Sequence, residues 1–376
     1  MRIAVVGPSY PFKGGIPLYT TGLYRELQRR HEVLFIAFSR QYPDWLYPGD
    51  SDRDASNVEL QEPAARALID SLNPLSWHRA AVAISEYQAD VIIFPWWVMY
   101  WALPFSYMAS MLRRKLPESD LLFVCHNVTA HETSALSRFL TRQTLRRGHG
   151  FLVHSSRERK DLEKLLPEAS IACAEHPAYD LDNEGLPTRA SAKESLAVEG
   201  DVLLFFGFVR PYKGLDVLIE AMSLLHKPCT LLIAGEVWGS REAYDHRIEE
   251  LGLADRVRFV DRYIAHDDVG SYFRAADLVV LPYLSATGSG VVKLAYSYHR
   301  PVVVSAVGSL PEAVRPGETG EIVKPGDAAA LAGAIDGYLQ RHDRDAVERA
   351  VASHVQSFDW KTVVDALASL WRKPDQ

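Results

Sequence analysis

Eleven short apolar runs, each followed by a stretch with helical spacing, constrain this chain more than any other feature. The first five are RIAVVG (2–7), EVLFIAF (32–38), DVIIFP (90–95), LLFVCHN (121–127) and GFLVHS (150–155). Six more follow: VLLFFGF (202–208), CTLLIAGE (229–236), RVRFVD (256–261), DLVVLPY (277–283), PVVVSAVG (301–308) and GEIVKPGD (320–327). A strand covered on one face alternates apolar with polar residues, whereas unbroken runs of this kind belong to strands buried on both faces. Alternation of such strands with helices predicts parallel sheets with right-handed crossovers.

Residues 177–201 separate the two sets; they are polar, carry prolines and glycines, and lack a long apolar run. A chain of 376 residues is too long for one typical core. The expected organisation is α/β throughout. A doubly wound, Rossmann-like domain covers 1–176, a linker 177–200, and a second such domain 201–355. Residues 356–376 supply a C-terminal helix, around WKTVVDALASLW (360–371), that packs back across the domain junction. Ligands of such sheets bind beyond the carboxyl ends of the strands, here expected to line a cleft between the domains.

A net charge of −7 gives no global reason for a nucleic-acid partner. Cys125, Cys173 and Cys229 lie far apart without CxxC pairing, which predicts neither a disulfide framework nor a zinc site and suits a reducing cytoplasm. The opening MRIAVVG reads as a first strand rather than a signal peptide. Residues 91–112 are nearly long enough for the roughly 20 apolar residues of a membrane span. Pro95 and Pro104 interrupt them, and a buried strand followed by a helix is the expectation.

Three loops at strand ends suit phosphate. Thr287-Gly288-Ser289-Gly290 precede a helix expected over about 290–299. Glycines there bring backbone N–H groups to one point, and the helix adds its positive dipole end. A Walker lysine is excluded by spacing, because Lys293 follows Gly290 by three places rather than one; it is expected to face the cleft or solvent. Gly14-Gly15 form a second glycine loop, before a helix with core residues Leu18, Leu23 and Leu27. In the third, Arg210 and Lys213 follow the strand ending at Gly207. Arginine binds a diphosphate as a fork and lysine as a point charge. Each loop has a plainer reading, an ordinary or solvated turn.

Taken together, FGFVRPYKGLDVLIEA, LLIAGE and SGVVKLAYSYHRPVVVSAVGSLPE resemble the donor-binding half of glycosyltransferase family 4, retaining nucleotide-sugar enzymes of the GT-B fold. GGIPLYT and CHNVTAHE are similar to the acceptor-side half, so the resemblance covers nearly the whole chain. It implies transfer of a sugar from an NDP-sugar to an acceptor, with retention, by a hexosyltransferase; a saccharide or lipid-linked glycan is the expected acceptor, and the cytoplasm or the inner face of a membrane the expected place. By the same resemblance Arg210 and Lys213 hold the donor pyrophosphate, amides around Ser289, Gly290 and Val291 cap it, and Gly15 approaches from the N-terminal domain. His126 matches the histidine that contacts the transferred sugar, and main-chain groups of Tyr263 and Ile264 hold the nucleobase.

One departure stands out. Two glutamates common in the family, eight positions apart, are replaced by Thr287 and Ala295. A carboxylate accepts hydrogen bonds from two ribose hydroxyls and alanine cannot. An epimerase of the same fold, or a binding protein without catalysis, therefore stays open beside the transferase. Retaining transfer needs stabilisation of the departing diphosphate more than a protein base. No metal or other cofactor is expected, since DLD (180–182) reads as a solvated turn. Glu236 binds a donor hydroxyl, braces Lys213 or caps a helix, and Glu312 is a weaker candidate. On the acceptor side Trp96, Trp97, Tyr100 and Trp101 stack on a sugar, meet a membrane, or form a buried helix face. His131 and Glu132 are further acceptor candidates.

Overall fold

The structure is a computed structural model that describes all residues except 44, 46–50, 55, 57–58, 129–134, 180–184, 342 and 373–376. The chain divides into unit 1, Met1–His176 with Trp360–Gln376, and unit 2, Pro177–Asp359.

Unit 1 contains strands β1 (Arg2–Val6), β2 (Glu32–Arg40), β3 (Arg66–Asp70), β4 (Val91–Trp96), β5 (Asp120–Cys125), β6 (Gly150–Val153) and β7 (Ser170–Cys173). They form one parallel sheet in the order β3-β2-β1-β4-β5-β6-β7. Its helices are α1 (Gly15–Gln28), α2 (Pro74–Tyr87), α3 (Ala102–Lys115), α4 (Ala135–Leu145) and α5 (Ser156–Leu165). Unit 2 begins with a short helix, α6 (Arg189–Ser195). Its strands are β8 (Val202–Phe206), β9 (Thr230–Ala234), β10 (Val257–Val260), β11 (Leu278–Leu281), β12 (Val302–Ser305) and β13 (Gly320–Val323). They too are parallel, in the order β10-β9-β8-β11-β12-β13. Around them lie α7 (Leu215–Leu224), α8 (Glu242–Glu250), α9 (His266–Ala275), α10 (Gly290–Ser297), α11 (Ala328–Leu339) and α12 (Arg344–Val355). The last helix, α13 (Trp360–Ala368), belongs to unit 1 and packs on α1, β6 and β7.

The unbroken apolar runs have a direct cause. Ile3 and Val5 enter the core on one face of the first sheet while Ala4 and Val6 enter the core on the other. In β8, Val202 and Leu204 point one way and Leu203 and Phe205 the other. Successive side chains of a strand alternate faces, so a sheet covered on both sides needs apolar residues at every position. Two strands, β3 and β7, escaped the pattern. Both are edge strands, and β7 is nowhere fully buried.

Of the segment 177–200, expected as a linker, the described residues from 185 on include a helix that packs into unit 2. Thr188 caps α6 by accepting the Ser191 N–H, Ala192 is fully buried, and the helix packs on α9. A seven-residue helix with so small an apolar face leaves little periodic signal. Residues 91–112 divide into β4, a short turn and α3. No helix among the described residues is long and apolar enough to cross a membrane.

Candidate functional site

Strand order reverses between β8 and β11 in unit 2, and a doubly wound sheet opens a crevice at the carboxyl ends there. Lys213 lies in the loop after β8, and Thr287–Gly290 in the loop after β11. Residues 211–213 form one tight turn whose following N–H, from Gly214, donates to Pro211. The Tyr212 carbonyl accepts the Leu284 N–H at 2.8 Å, which ties this turn to the end of β11.

The Lys213 side chain folds back beneath the end of β8. A Cβ on Gly207 would lie 3.3 Å from the Lys213 Nζ and 3.9 Å from Val291, and Gly207 has φ +89°. Only glycine meets both demands easily. The ammonium is buried and has no carboxylate partner among the described residues. Burial, then the nearby Arg210 charge, push its pKa down to about 8. A buried cation without a counter-ion is costly, and an anion bound beside it removes that cost.

The facing loop supplies donors. Ser289 caps α10, its Oγ accepting the Val291 N–H at 3.2 Å and lying 3.3 Å from the Tyr283 hydroxyl. The Val291 amide is thus engaged in the cap, whereas the N–H groups of Gly288, Ser289 and Gly290 have no acceptor among the described residues. Ser309 fixes the loop from behind: its N–H and Oγ both donate to the Thr287 carbonyl, at 2.8 and 2.9 Å. The Tyr179 hydroxyl lies 3.2 Å from where a Cβ of Gly290 would stand. Nothing in the sequence marks Tyr179, since only the fold carries it to this helix end.

Arg210 is exposed and stacks its guanidinium 4.9 Å from the Trp238 ring and 5.4 Å from that of Tyr212. Phe208, Trp238 and Tyr263 form an aromatic shelf beside it, with centroids 4.6 and 6.0 Å from Phe208. Ile264 is buried in the core, so only its main chain can meet a ligand. Glu236 is half-buried and its carbonyl accepts the Val209 N–H. Glu312 follows Ser309, whose carbonyl accepts its N–H. Lys293 departs from expectation: it is buried, with Nζ 3.1 Å from the centre of the Phe358 ring. Its place in the first turn of α10 turns it away from the open end of the helix and into the packing against Phe358. Ala295 is fully buried in the core as well.

Unit 1 has a different carboxyl edge. Gly14 and Gly15 open α1 with exposed backbone, and nothing lies within 4 Å of a Cβ built on Gly14. His126 directly follows β5, and its N–H donates to the Trp96 carbonyl at 2.8 Å. Its Nε2 is buried without a partner among the described residues, as is the hydroxyl of Tyr19, whose ring stands edge-on at 4.4 Å. His154 follows β6 and His176 lies just beyond β7, with ring centres 5.3 and 6.3 Å from His126. The His154 Nδ1 lies 2.9 Å from the Ala174 carbonyl. Burial, then His154 and His176, hold the His126 pKa well below the usual range, so the ring is neutral. The position of His154 at the end of GFLVHS was the available signal for this group.

Of the readings open for the aromatic cluster, burial holds for Trp96 and Trp101, and it removes Trp96 from the candidate acceptor contacts. Trp96 is the last residue of β4 and Trp101 packs flat on Phe38; both are buried in the core and cannot stack on a sugar. Trp97 is half-buried, donating from its indole N–H to the Tyr42 hydroxyl at 3.1 Å. His131, Glu132 and the DLD segment lie outside the described residues. Among the described residues no three His, Cys, Asp or Glu side chains are grouped to hold a metal ion.

Residues 200–341, which include Lys213 and the 287–290 loop, match a family model. That model is Glycosyl transferases group 1. D-inositol 3-phosphate glycosyltransferases of Mycobacterium bovis (strain BCG / Pasteur 1173P2) and Mycobacterium tuberculosis (strain ATCC 25618 / H37Rv) are each 36% identical over 207 residues, 53% of this chain and 43% of theirs. The match therefore spans less than half the length of these curated relatives. Among solved structures, sucrose-phosphate synthase from Thermosynechococcus elongatus superimposes with a TM-score of 0.72 at 21% identity, over 99% of this chain and 98% of that one. Anabaena Alr3699/HepE in complex with UDP and glucose gives 0.74 at 17% identity, over 98% and 100%. At these identities the likeness is one of fold, and the fold is GT-B: two Rossmann-like α/β domains with parallel sheets.

Proposed function

We propose that this chain is a glycosyltransferase that moves a sugar from a nucleoside-diphosphate sugar to a hydroxyl of a saccharide or lipid-linked glycan. The observation that carries the reading is the buried Lys213 ammonium without a carboxylate partner among the described residues, set beside the free amides of the 287–290 loop. Dianionic diphosphate fits that pair of features, and the family match over the same residues supports a nucleotide-sugar donor. The UDP in the Anabaena structure is in keeping with it.

In this reading Lys213 and the α10 amides stabilise the charge that develops as the bond between the sugar's anomeric carbon and the phosphate oxygen breaks. Arg210 adds charge at the rim. A new bond forms from the anomeric carbon to the acceptor oxygen, and the acceptor proton passes to an oxygen of the leaving diphosphate. Retention follows the resemblance to family 4. His126, neutral at physiological pH, holds a sugar hydroxyl as a hydrogen-bond partner without adding charge. The Phe208–Trp238–Tyr263 shelf takes the base. Tyr179, which stands beside Gly290, and Glu236 are proposed to meet the ribose in place of the carboxylate that Ala295 lacks. The chemistry is proposed to need no metal and to run on the cytoplasmic side of the cell.

Thermal unfolding with UDP, GDP and ADP tests the donor site, on wild type and on Lys213→Ala. A ligand at a hundred times its Kd stabilises the folded state by about 2.7 kcal/mol. One nucleotide should raise the Tm of wild type and not of the variant. No rise with any of the three would remove the donor reading.

A further inference from the structure

Helices α2, α3 and α4 each follow a parallel strand of unit 1, so all three begin at the sheet's carboxyl edge, where His126 lies. α3 packs against both of the others. Each of them opens on large apolar side chains that face water. Leu72 and Leu75 stand at the start of α2, Leu103 and Tyr107 on α3, Leu136 and Phe139 on α4. Their exposures run from 43% for Tyr107 to 68% for Leu75 and Leu103. A single exposed leucine is ordinary; a band along the same end of three adjacent helices marks an interaction surface.

The charge beside this band is one-sided. Near the band α2 and α4 carry the exposed Arg79, Arg138 and Arg142 and no acid, while Arg113, Arg114 and Lys115 stand at the far end of α3, as Glu86 does on α2. The whole chain has a net charge of −7, so these three arginines run against its overall balance. Spacing interleaves the two kinds of side chain: Leu75 with Arg79, and Phe139 with Arg142, fall on shared helical stripes. His78 holds the Tyr107 hydroxyl at 2.9 Å, joining the band from α2 to α3.

We propose that this face docks on an anionic phospholipid surface, the apolar band entering the interface while the arginines meet headgroup phosphates. Interfacial helices join these two elements for that purpose. A single-stranded polynucleotide would be met by a basic groove lined with stacking aromatic rings, whereas this band is convex helix surface and chiefly leucine. Docking does not depend on the enzymatic reading. That it presents a lipid-borne acceptor to the His126 edge does rest on the transferase reading.

The test is co-sedimentation of the full chain with vesicles of phosphatidylcholine alone, or with roughly a third phosphatidylglycerol, as the anionic component requires. Wild type should sediment with the anionic vesicles only, and lose most binding at 1 M salt, where the Debye length falls to about 3 Å. The double variants Leu103→Gln/Phe139→Gln and Arg138→Gln/Arg142→Gln should each bind roughly tenfold or more weakly, with unchanged far-UV circular dichroism and melting. Absence of binding by wild type, or binding by both variants as tight as that of wild type, overturns docking. So does light scattering that shows a dimer dissolved by the leucine–phenylalanine variant, which would make the band a contact between copies. Vesicle binding without a nucleotide-induced Tm rise would keep docking and sink the transferase; the reverse pattern would do the opposite.

Discussion

Both units set a buried ionisable side chain at the carboxyl edge of a parallel sheet, and they treat its charge in opposite ways. In unit 2 burial lowers the Lys213 pKa to about 8, which still leaves the ammonium mostly charged at neutral pH. In unit 1 burial and two neighbouring imidazoles keep His126 neutral. The first edge also presents unpaired backbone donors at a helix start, and the second a neutral imidazole beside a phenol. A cationic edge selects an anion, and a neutral one selects hydroxyls. The same topology thus produces two chemistries through the residues that follow the strands.

The sharpest way to break that comparison is to remove one group from each edge. Lys213→Ala should lower turnover of an NDP-sugar by about 10³-fold or more, the scale of losing a stabiliser of developing charge, and weaken nucleotide binding in calorimetry. His126→Asn should lower turnover by about 10²-fold, within the range for a positioned polar group, while nucleotide Kd stays within twofold. Equal losses of nucleotide affinity in the two variants would erase the distinction between the edges.

A pH series sharpens it. The diphosphate of UDP-glucose stays ionised across the range, so binding follows the protonation of Lys213. Affinity should be flat below pH 8 and fall by about tenfold per pH unit above it. Lys213→Arg should flatten that decline, because guanidinium keeps its charge. Trp238→Ala comes next, with an affinity loss of about tenfold, as for removal of one stacking ring, if the aromatic shelf takes the base. The smallest effect belongs to Lys293→Met. It should shift the Tm by a few degrees through loss of a buried cation–π contact worth about 2 kcal/mol and leave nucleotide affinity unchanged.

Much of this was legible because strand ends are legible. All eleven apolar runs are strands, and the loops that follow β8 and β11 hold Lys213 and the 287–290 turn. What the sequence hides is direction. Lys293 lies only three residues past Gly290, yet the turn of α10 points it at Phe358. Trp96 ends a strand at the promising edge but faces the core. Tyr179, Trp238 and His176 reach their places through contacts far along the chain, and spacing carries no trace of such contacts. Edge strands β3 and β7 were hidden for another reason: half-exposed, they need no unbroken apolar run.

The return of α13 to unit 1 orders the steps by which the protein is made. Val363 and Leu367 are fully buried against Ile3, Leu23 and other residues of the first helix layer. A Cβ on Gly22 would stand 2.4 Å from the Trp360 ring, so α1 leaves a notch that only the late helix fills. Arg372 then closes on the buried Asp120, its backbone N–H donating at 2.8 Å. Of the two units, the first therefore starts earlier on the ribosome and finishes later. The uninterrupted segment Pro177–Asp359 emerges and can complete its own core in the interval, while the flank of the first sheet that α1 covers lacks its second helix.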